Sequence, residues 1–253
     1  MVNSPAPVLV TGIANERSLA CAVARALRAQ GVPVLVTWQQ PRQQHRVAAV
    51  AADLGCELLG PLDVSDPQSL MAAREALGDR RLSGMLHAIA FAQLSDATGP
   101  VPVHAVDAPS WAQALEISAR SLPQLLHTFL PQLNPGAGVV ALTHHGARRV
   151  APGYNLMGVA KAALEAALRY CAAELGPQGI RVNAISAGSV RTAAASAVPG
   201  FAERHAAAAK RAPLRRNVSA EDVGQVAAWL ISSQASAITG AIIPVDCGEH
   251  LLA

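Results

Sequence analysis

Tyr154 and Lys161 stand seven residues apart in the stretch YNLMGVAKAALEAALRY. Seven residues are two turns of an α-helix, so both side chains fall on one face. The Ala, Leu, Met and Glu residues around them favour that helix. An ammonium group beside a phenol favours a polarised or ionised phenol, and the phenol can hydrogen-bond a carbonyl oxygen. By itself the pair fits equally well a packed Tyr beside a solvated Lys. The elements that would have to position the two decide between these readings.

The first of those elements is written in PVLVTGIANERSLACAVARALRAQG, which reads strand, tight turn, helix. Val8, Leu9 and Val10 form an apolar run suited to a strand buried on both faces. Gly12 permits a sharp turn, and Ser18 is placed to cap a helix that ends before Gly31. A helix N-terminus reached this way favours a bound phosphate through its free N–H groups and the macrodipole. The GxGxxG fingerprint is absent, because Gly12 is the only glycine before Gly31.

Further strands are expected at Val34–Thr37, Glu57–Leu59, Met85–Ile89, Val139–Thr143, Val182–Ile185 and Ile242–Val245, with helices between them. That alternation predicts an α/β fold: a Rossmann-type, doubly wound, seven-stranded parallel sheet with helices on both faces. There is no internal repeat or low-complexity linker, so residues 1–253 read as one domain. Segments 92–109 and 189–217 break the rhythm. Ligands of open α/β sheets sit beyond the carboxyl ends of the strands, so both segments are expected to enclose a substrate.

Composition narrows the partners. A net charge of +3 with 3% aromatics and no long basic run argues against nucleic acid. Mean hydropathy is positive, yet no apolar stretch reaches membrane-spanning length; the excess is assigned to a core and subunit interfaces. Cys21, Cys56, Cys171 and Cys247 show no CxxC and no metal-ligand spacing, so no metal site is expected. The start MVNSPAPVLV lacks the pattern of a secretory signal, and a cytoplasmic location is expected.

The chain resembles the enoyl-acyl-carrier-protein reductases of the short-chain dehydrogenase/reductase superfamily. The resemblance rests on TGIANERSLA, LDVSD, YNLMGVAKAALEA, GIRVNAISAGSVRTAAAS and EDVGQVAAWL…ITGAIIPVD, and runs from Val8 to about Asp246. Most other branches of the superfamily carry the catalytic Tyr four residues before the Lys, where this chain has Met157. The resemblance implies NADH or NADPH as cofactor, with the turn at Gly12, Ile13, Ser18 and Leu19 holding it. Gln39 would meet the adenosine end, and Asp63 and Val64 would flank the adenine. Ala88, Ile89 and Ala90 would run beside the ribose and nicotinamide, and Val190 and Thr192 would meet the carboxamide. Ala90 replaces the glycine usual there. After the second strand, TWQQPRQQ offers no acid for the ribose: Gln39 favours NADH, whereas Arg42 could attract a 2′-phosphate.

The chemistry implied is hydride transfer to the β-carbon of an α,β-unsaturated thioester. Tyr154 would donate to the thioester oxygen, Lys161 would bind the nicotinamide ribose, and the α-carbon would take its proton from solvent. One position departs from the family. LTHHGARR places His144 where a second Tyr is usual, and it reads either as a donor near the substrate or as a neutral pocket wall. That departure suggests a specialised member, in secondary metabolism. Around residues 194–216, Arg204, Lys210 and Arg211 would meet an acidic acyl carrier protein, although a solvated amphipathic helix accounts for the same charges. Family members commonly form homotetramers, and the segments Ala162–Leu175 and Ala241–Leu252 offer apolar faces for one. Two other readings stand beside the enoyl reductase: a carbonyl or imine reductase using His144 as donor, and a nucleotide-binding protein without turnover.

Overall fold

A computed structural model describes residues 5–96, 99–196, 198 and 200–252. Its main sheet has seven parallel strands: β1 (Val8–Val10), β2 (Val34–Trp38), β3 (Glu57–Pro61), β4 (Leu82–His87), β7 (Leu133–Thr143), β8 (Arg181–Ala187) and β9 (Ile242–Val245). β5 (Ser95–Asp96) and β6 (Gly99–Pro100) form a small antiparallel ribbon outside it. The strand order is β3-β2-β1-β4-β7-β8-β9, so the winding reverses between β1 and β4. A crevice opens at such a switch point because the connections leave to opposite faces.

Nine α-helices cover the sheet: α1 (Leu19–Ala29), α2 (Pro41–Leu54), α3 (Pro67–Leu77), α4 (Ala108–Leu115), α5 (Ser121–Phe129), α6 (Asn155–Leu175), α7 (Ala193–Ser196), α8 (Phe201–Arg211) and α9 (Ala220–Ile231), counting the described residues. Successive strand residues point to opposite faces, and here both faces are apolar. Val8, Val10, Val34, Val36, Leu86 and Val140 meet Val23, Leu27, Val47 and Val223 of α1, α2 and α9. Leu9, Leu35, Met85, Val139 and Val182 meet Leu70, Leu122, Leu125 and Leu164 of α3, α5 and α6. Leu122, Leu125 and Leu164 have no exposed surface, and each such side chain contributes about 2 kcal/mol of transfer free energy.

Several boundaries differ from the sequence expectation, and each difference has a local cause. β1 and β9 keep the expected bounds. β4 ends at His87, not Ile89: its pairing with β1 runs out at Val10↔Leu86 and its pairing with β7 at His87↔Ala141. β7 begins at Leu133, with an irregularity where Leu82 pairs Leu133 and Gly84 pairs Gly138. Segment 92–109 holds the β5–β6 ribbon, and segment 189–217 holds α7 and α8. Ala97, Thr98, Ala197 and Pro199, which fall in those two segments, and residues 1–4 of the N-terminus lie outside the described residues. A π-helical turn at Glu116–Arg120 joins α4 to α5. No helix among the described residues is long and apolar enough to cross a membrane.

Candidate active site

A cavity of about 720 Å³ opens at the carboxyl ends of β1, β4, β7 and β8. Of the positions expected to bind or act, Gly12, Ser18, Leu19, Ala88, Ile89, Ala90, His144, Tyr154, Lys161, Val190 and Thr192 line it. Ile13, Gln39, Asp63 and Val64 do not. Ile13 and Val64 are buried in the two cores instead. Gln39 and Asp63 bond each other, with the amide Nε2 donating to the carboxylate at 3.1 Å.

The turn after β1 is held by its tightness. Gly12 has φ +85°, and a Cβ there would fall 2.1 Å from the carbonyl oxygen of Ala88. Only glycine fits such an approach. Ser18 occupies the N-cap position of α1, as expected, but its hydroxyl makes no cap bond to the helix. It points back into the turn, accepting from the N–H groups of Ala14 at 3.1 Å and Asn15 at 3.0 Å, and donates to the Asn15 carbonyl. The expected side-chain cap is thus replaced by a brace of the loop. Leu19 and Ala20, which open α1, line the cavity, and the first N–H groups of a helix have no partner within it.

Tyr154 stands at the N-cap of α6 with φ −86° and ψ −22°, already helical, so it shares the face of Lys161. Its ring meets that of His144, with centroids 4.5 Å apart at 44°. Of the polarised and the ionised phenol, the protonated form is the one burial favours, since it pushes the Tyr154 pKa well above its ordinary value. The Lys161 ammonium donates to the Leu142 carbonyl at 2.7 Å. Lys161 is itself buried, which lowers its pKa to about 8, against the pull of Glu165 one turn along α6. Glu165 accepts from Thr143 Oγ1 at 2.9 Å and from Arg148 Nε at 3.0 Å.

His144 caps the 3-10 turn His145–Ala147, and its Nδ1 accepts the Gly146 N–H at 3.0 Å. Burial lowers its pKa to about 3, with His145, Lys161 and Arg204 adding to the shift. The imidazole is therefore neutral, and because Nδ1 accepts, Nε2 carries the proton. The cavity wall thus holds two neutral donors side by side, a phenol O–H and an imidazole N–H.

Other lining residues have no short motif to betray them. Phe91 and Leu94 come from the loop after β4, and Glu249 and His250 from the C-terminal turn. Glu249 accepts from Arg211 at 2.5 Å across 38 residues of sequence. His250 Nδ1 lies 2.9 Å from Asp246. Both predicted enclosing segments contribute to the wall, through Ala92, Leu94 and Ser95 and through Ser189, Ala193, Val198 and Phe201.

Residues 12–250 match the family model described as enoyl-(acyl carrier protein) reductase. The enoyl-acyl-carrier-protein reductase (NADH) FabI of Haemophilus influenzae is 42% identical over 248 residues, 97% of this chain and 94% of that one. Among solved structures, the enoyl-acyl-carrier-protein reductase of Anaplasma phagocytophilum in complex with NAD has a TM-score of 0.91 at 35% identity, covering 100% of this chain and 95% of that one. That of Bacillus cereus, with NADP+ and an indole naphthyridinone, has a TM-score of 0.93 at 36% identity, covering 98% and 97%. The chain belongs to the enoyl-acyl-carrier-protein reductase family of the short-chain dehydrogenase/reductase superfamily.

Proposed function

We propose that the protein reduces the carbon–carbon double bond of a 2-enoyl thioester at the expense of NADH, with Tyr154 as the donor to the thioester oxygen. The observation that carries the reading is the pair of neutral donors, Tyr154 and His144, on the same cavity as the N-terminus of α1. The residues fit a dinucleotide. The Gly12–Ala88 approach leaves no side chain in the turn, the opening N–H groups of α1 suit a pyrophosphate, and Lys161 suits a ribose diol. Val190 and Thr192, on the same cavity, suit a carboxamide. Bound there, a reduced nicotinamide supplies the hydride.

Negative charge then grows on the thioester oxygen, and the Tyr154 hydroxyl stabilises it as a hydrogen-bond donor. His144 Nε2–H would add a second donor. Lys161 keeps the local potential positive and fixes the ribose edge. Solvent supplies the proton at the α-carbon, so neither donor has to lose its own. That division suits a phenol whose pKa burial has raised. Carbonyl reduction would need Tyr154 to give its proton up fully, and the raised pKa opposes it.

Gln39 and Asp63 support NADH over NADPH. Burial raises the Asp63 pKa, but hydrogen bonds from Ser65 and Gln39 outweigh it and lower the value, and a carboxylate bonded to Gln39 would repel a 2′-phosphate at the adenosine end. A carrier-protein substrate fits the stretch 210–216, where Lys210 and Arg215 are exposed beside the ion-paired Arg211 and Arg216. Exposed Tyr170 on α6 and Leu251 and Leu252 at the C-terminus suit subunit contacts in a homotetramer.

The test is incubation of the purified protein with NADH and either crotonyl or acetoacetyl thioester. Oxidation of NADH with a saturated acyl product is expected from the first alone. A hydroxyacyl product from the second, or dinucleotide binding with no turnover on either, would contradict the reading.

A further inference from the structure

We propose that Ser118 is a positioning residue for hydride transfer, acting through the backbone of Phe91; the inference rests on the functional reading above. The segment Ala88–Phe91 leaves the sheet after His87, so its backbone groups lose their ladder partners. A single hydroxyl replaces two of them. Ser118 Oγ accepts from the Phe91 N–H at 2.8 Å and donates to the Phe91 carbonyl at 2.8 Å. Ser118 is completely buried, which keeps water from competing for either bond.

The other end of the segment is tied to the same helix. Ser121 Oγ donates to the Ile117 carbonyl at 2.6 Å, which leaves it as acceptor for His87 Nε2–H at 2.7 Å. Ser118 and Ser121 are three residues apart, one helical turn, and therefore face the same way. The π-turn at Glu116–Arg120 contains the first and precedes the second. Insertions of this kind re-aim the residues that follow and recur at functional sites. Between the two ties lie Ala88, Ile89 and Ala90, all on the cavity wall, and Ala88 abuts Gly12. Relaxation of this segment changes the width of the cleft into which a nicotinamide must fit, and so the distance over which a hydride travels.

The test is Ser118→Ala, with Ser118→Cys as a nearly isosteric partner that keeps a weak donor and acceptor. In the protein without cofactor, the Phe91 amide should be protected from hydrogen exchange in the native chain and exchange faster in Ser118→Ala. The NADH Kd should rise several-fold, and kcat should fall between about 10- and 100-fold, the range for a misplacement of ångström size. The isotope effect from 4-deuterated NADH on kcat should grow as the chemical step becomes limiting. Ser118→Cys should lie between the two. Val50→Ala, a core change remote from the cavity, serves as a stability control that lowers Tm without altering kcat or Kd. Native kcat, Kd and exchange in both Ser118 variants, with the wild type active, would overturn this inference alone. A wild type that binds no dinucleotide would overturn the functional reading and this inference with it.

Discussion

Raising the pH through the titration of Lys161 should switch the enzyme off while Lys161 makes the fold more stable. Burial brings the pKa of this lysine from 10.5 to about 8; Glu165 holds it up, and the Leu142 carbonyl accepts from its charged form. His87 and His144 are held neutral with pKa values of about 3, and the Tyr154 pKa lies above its ordinary value. With a pKa near 8, the fraction of charged Lys161 is about 90% at pH 7, about 10% at pH 9 and about 1% at pH 10. The pH profile of kcat/KM, which reports the free enzyme, should therefore be flat from about pH 5.5 to 7.5 and fall tenfold per unit above about 8.

Stability should move the other way. A lysine whose folded pKa is depressed binds fewer protons folded than unfolded between about pH 8 and 10.5, so its contribution rises with pH across that window. The 2.5-unit difference corresponds to about 3 kcal/mol for this wholly buried group. Initial rates at subsaturating substrate give the first curve. Denaturant melts of the wild type minus those of Lys161→Met give the second. A profile that stays flat to pH 10, or a Lys161 contribution that falls between pH 8 and 10, would refute the reasoning.

His144→Phe should lower kcat about tenfold or more, the loss expected for one oxyanion donor, whereas His144→Tyr should keep or restore activity by returning a hydroxyl; equal rates in both would mean that His144 only shapes the wall. Gly12→Ala should abolish NADH binding in a fluorescence titration, because it combines a positive φ, worth about 1–2 kcal/mol, with a Cβ that displaces Ala88. Gln39→Asp should impair NADPH use more than NADH use, since a second carboxylate joins Asp63; an unchanged ratio of kcat/KM values would remove Gln39 from the adenosine site.

The strands were legible because each is a short apolar run, and parallel strands buried on both faces leave that mark. Their ends were less so, since β4 stops where its pairing with β1 and β7 runs out and not where its own apolar residues do. The Tyr154–Lys161 spacing located one wall of the cavity because helical periodicity carries over two turns. It left the phenol's charge state open, because burial, which no spacing reveals, is what raises the Tyr154 pKa. Ser18 was placed correctly on the chain, but whether its hydroxyl faces the helix or the loop depends on the turn at Asn15. The ties of Ser118 to Phe91, 27 residues away, and of His87 to Ser121, 34 away, belong to no local pattern. The same holds for the pairing of Arg211 with Glu249.

The proposed mechanism turns on Tyr154, whose phenol oxygen can be removed with little change in shape. The decisive measurement is kcat of Tyr154→Phe for NADH-dependent reduction of crotonyl thioester, with the NADH Kd measured beside it. The kcat should fall by about one to three orders of magnitude, with saturated product still formed and Kd nearly unchanged. Wild-type kcat in Tyr154→Phe would contradict the mechanism, whatever His144 does.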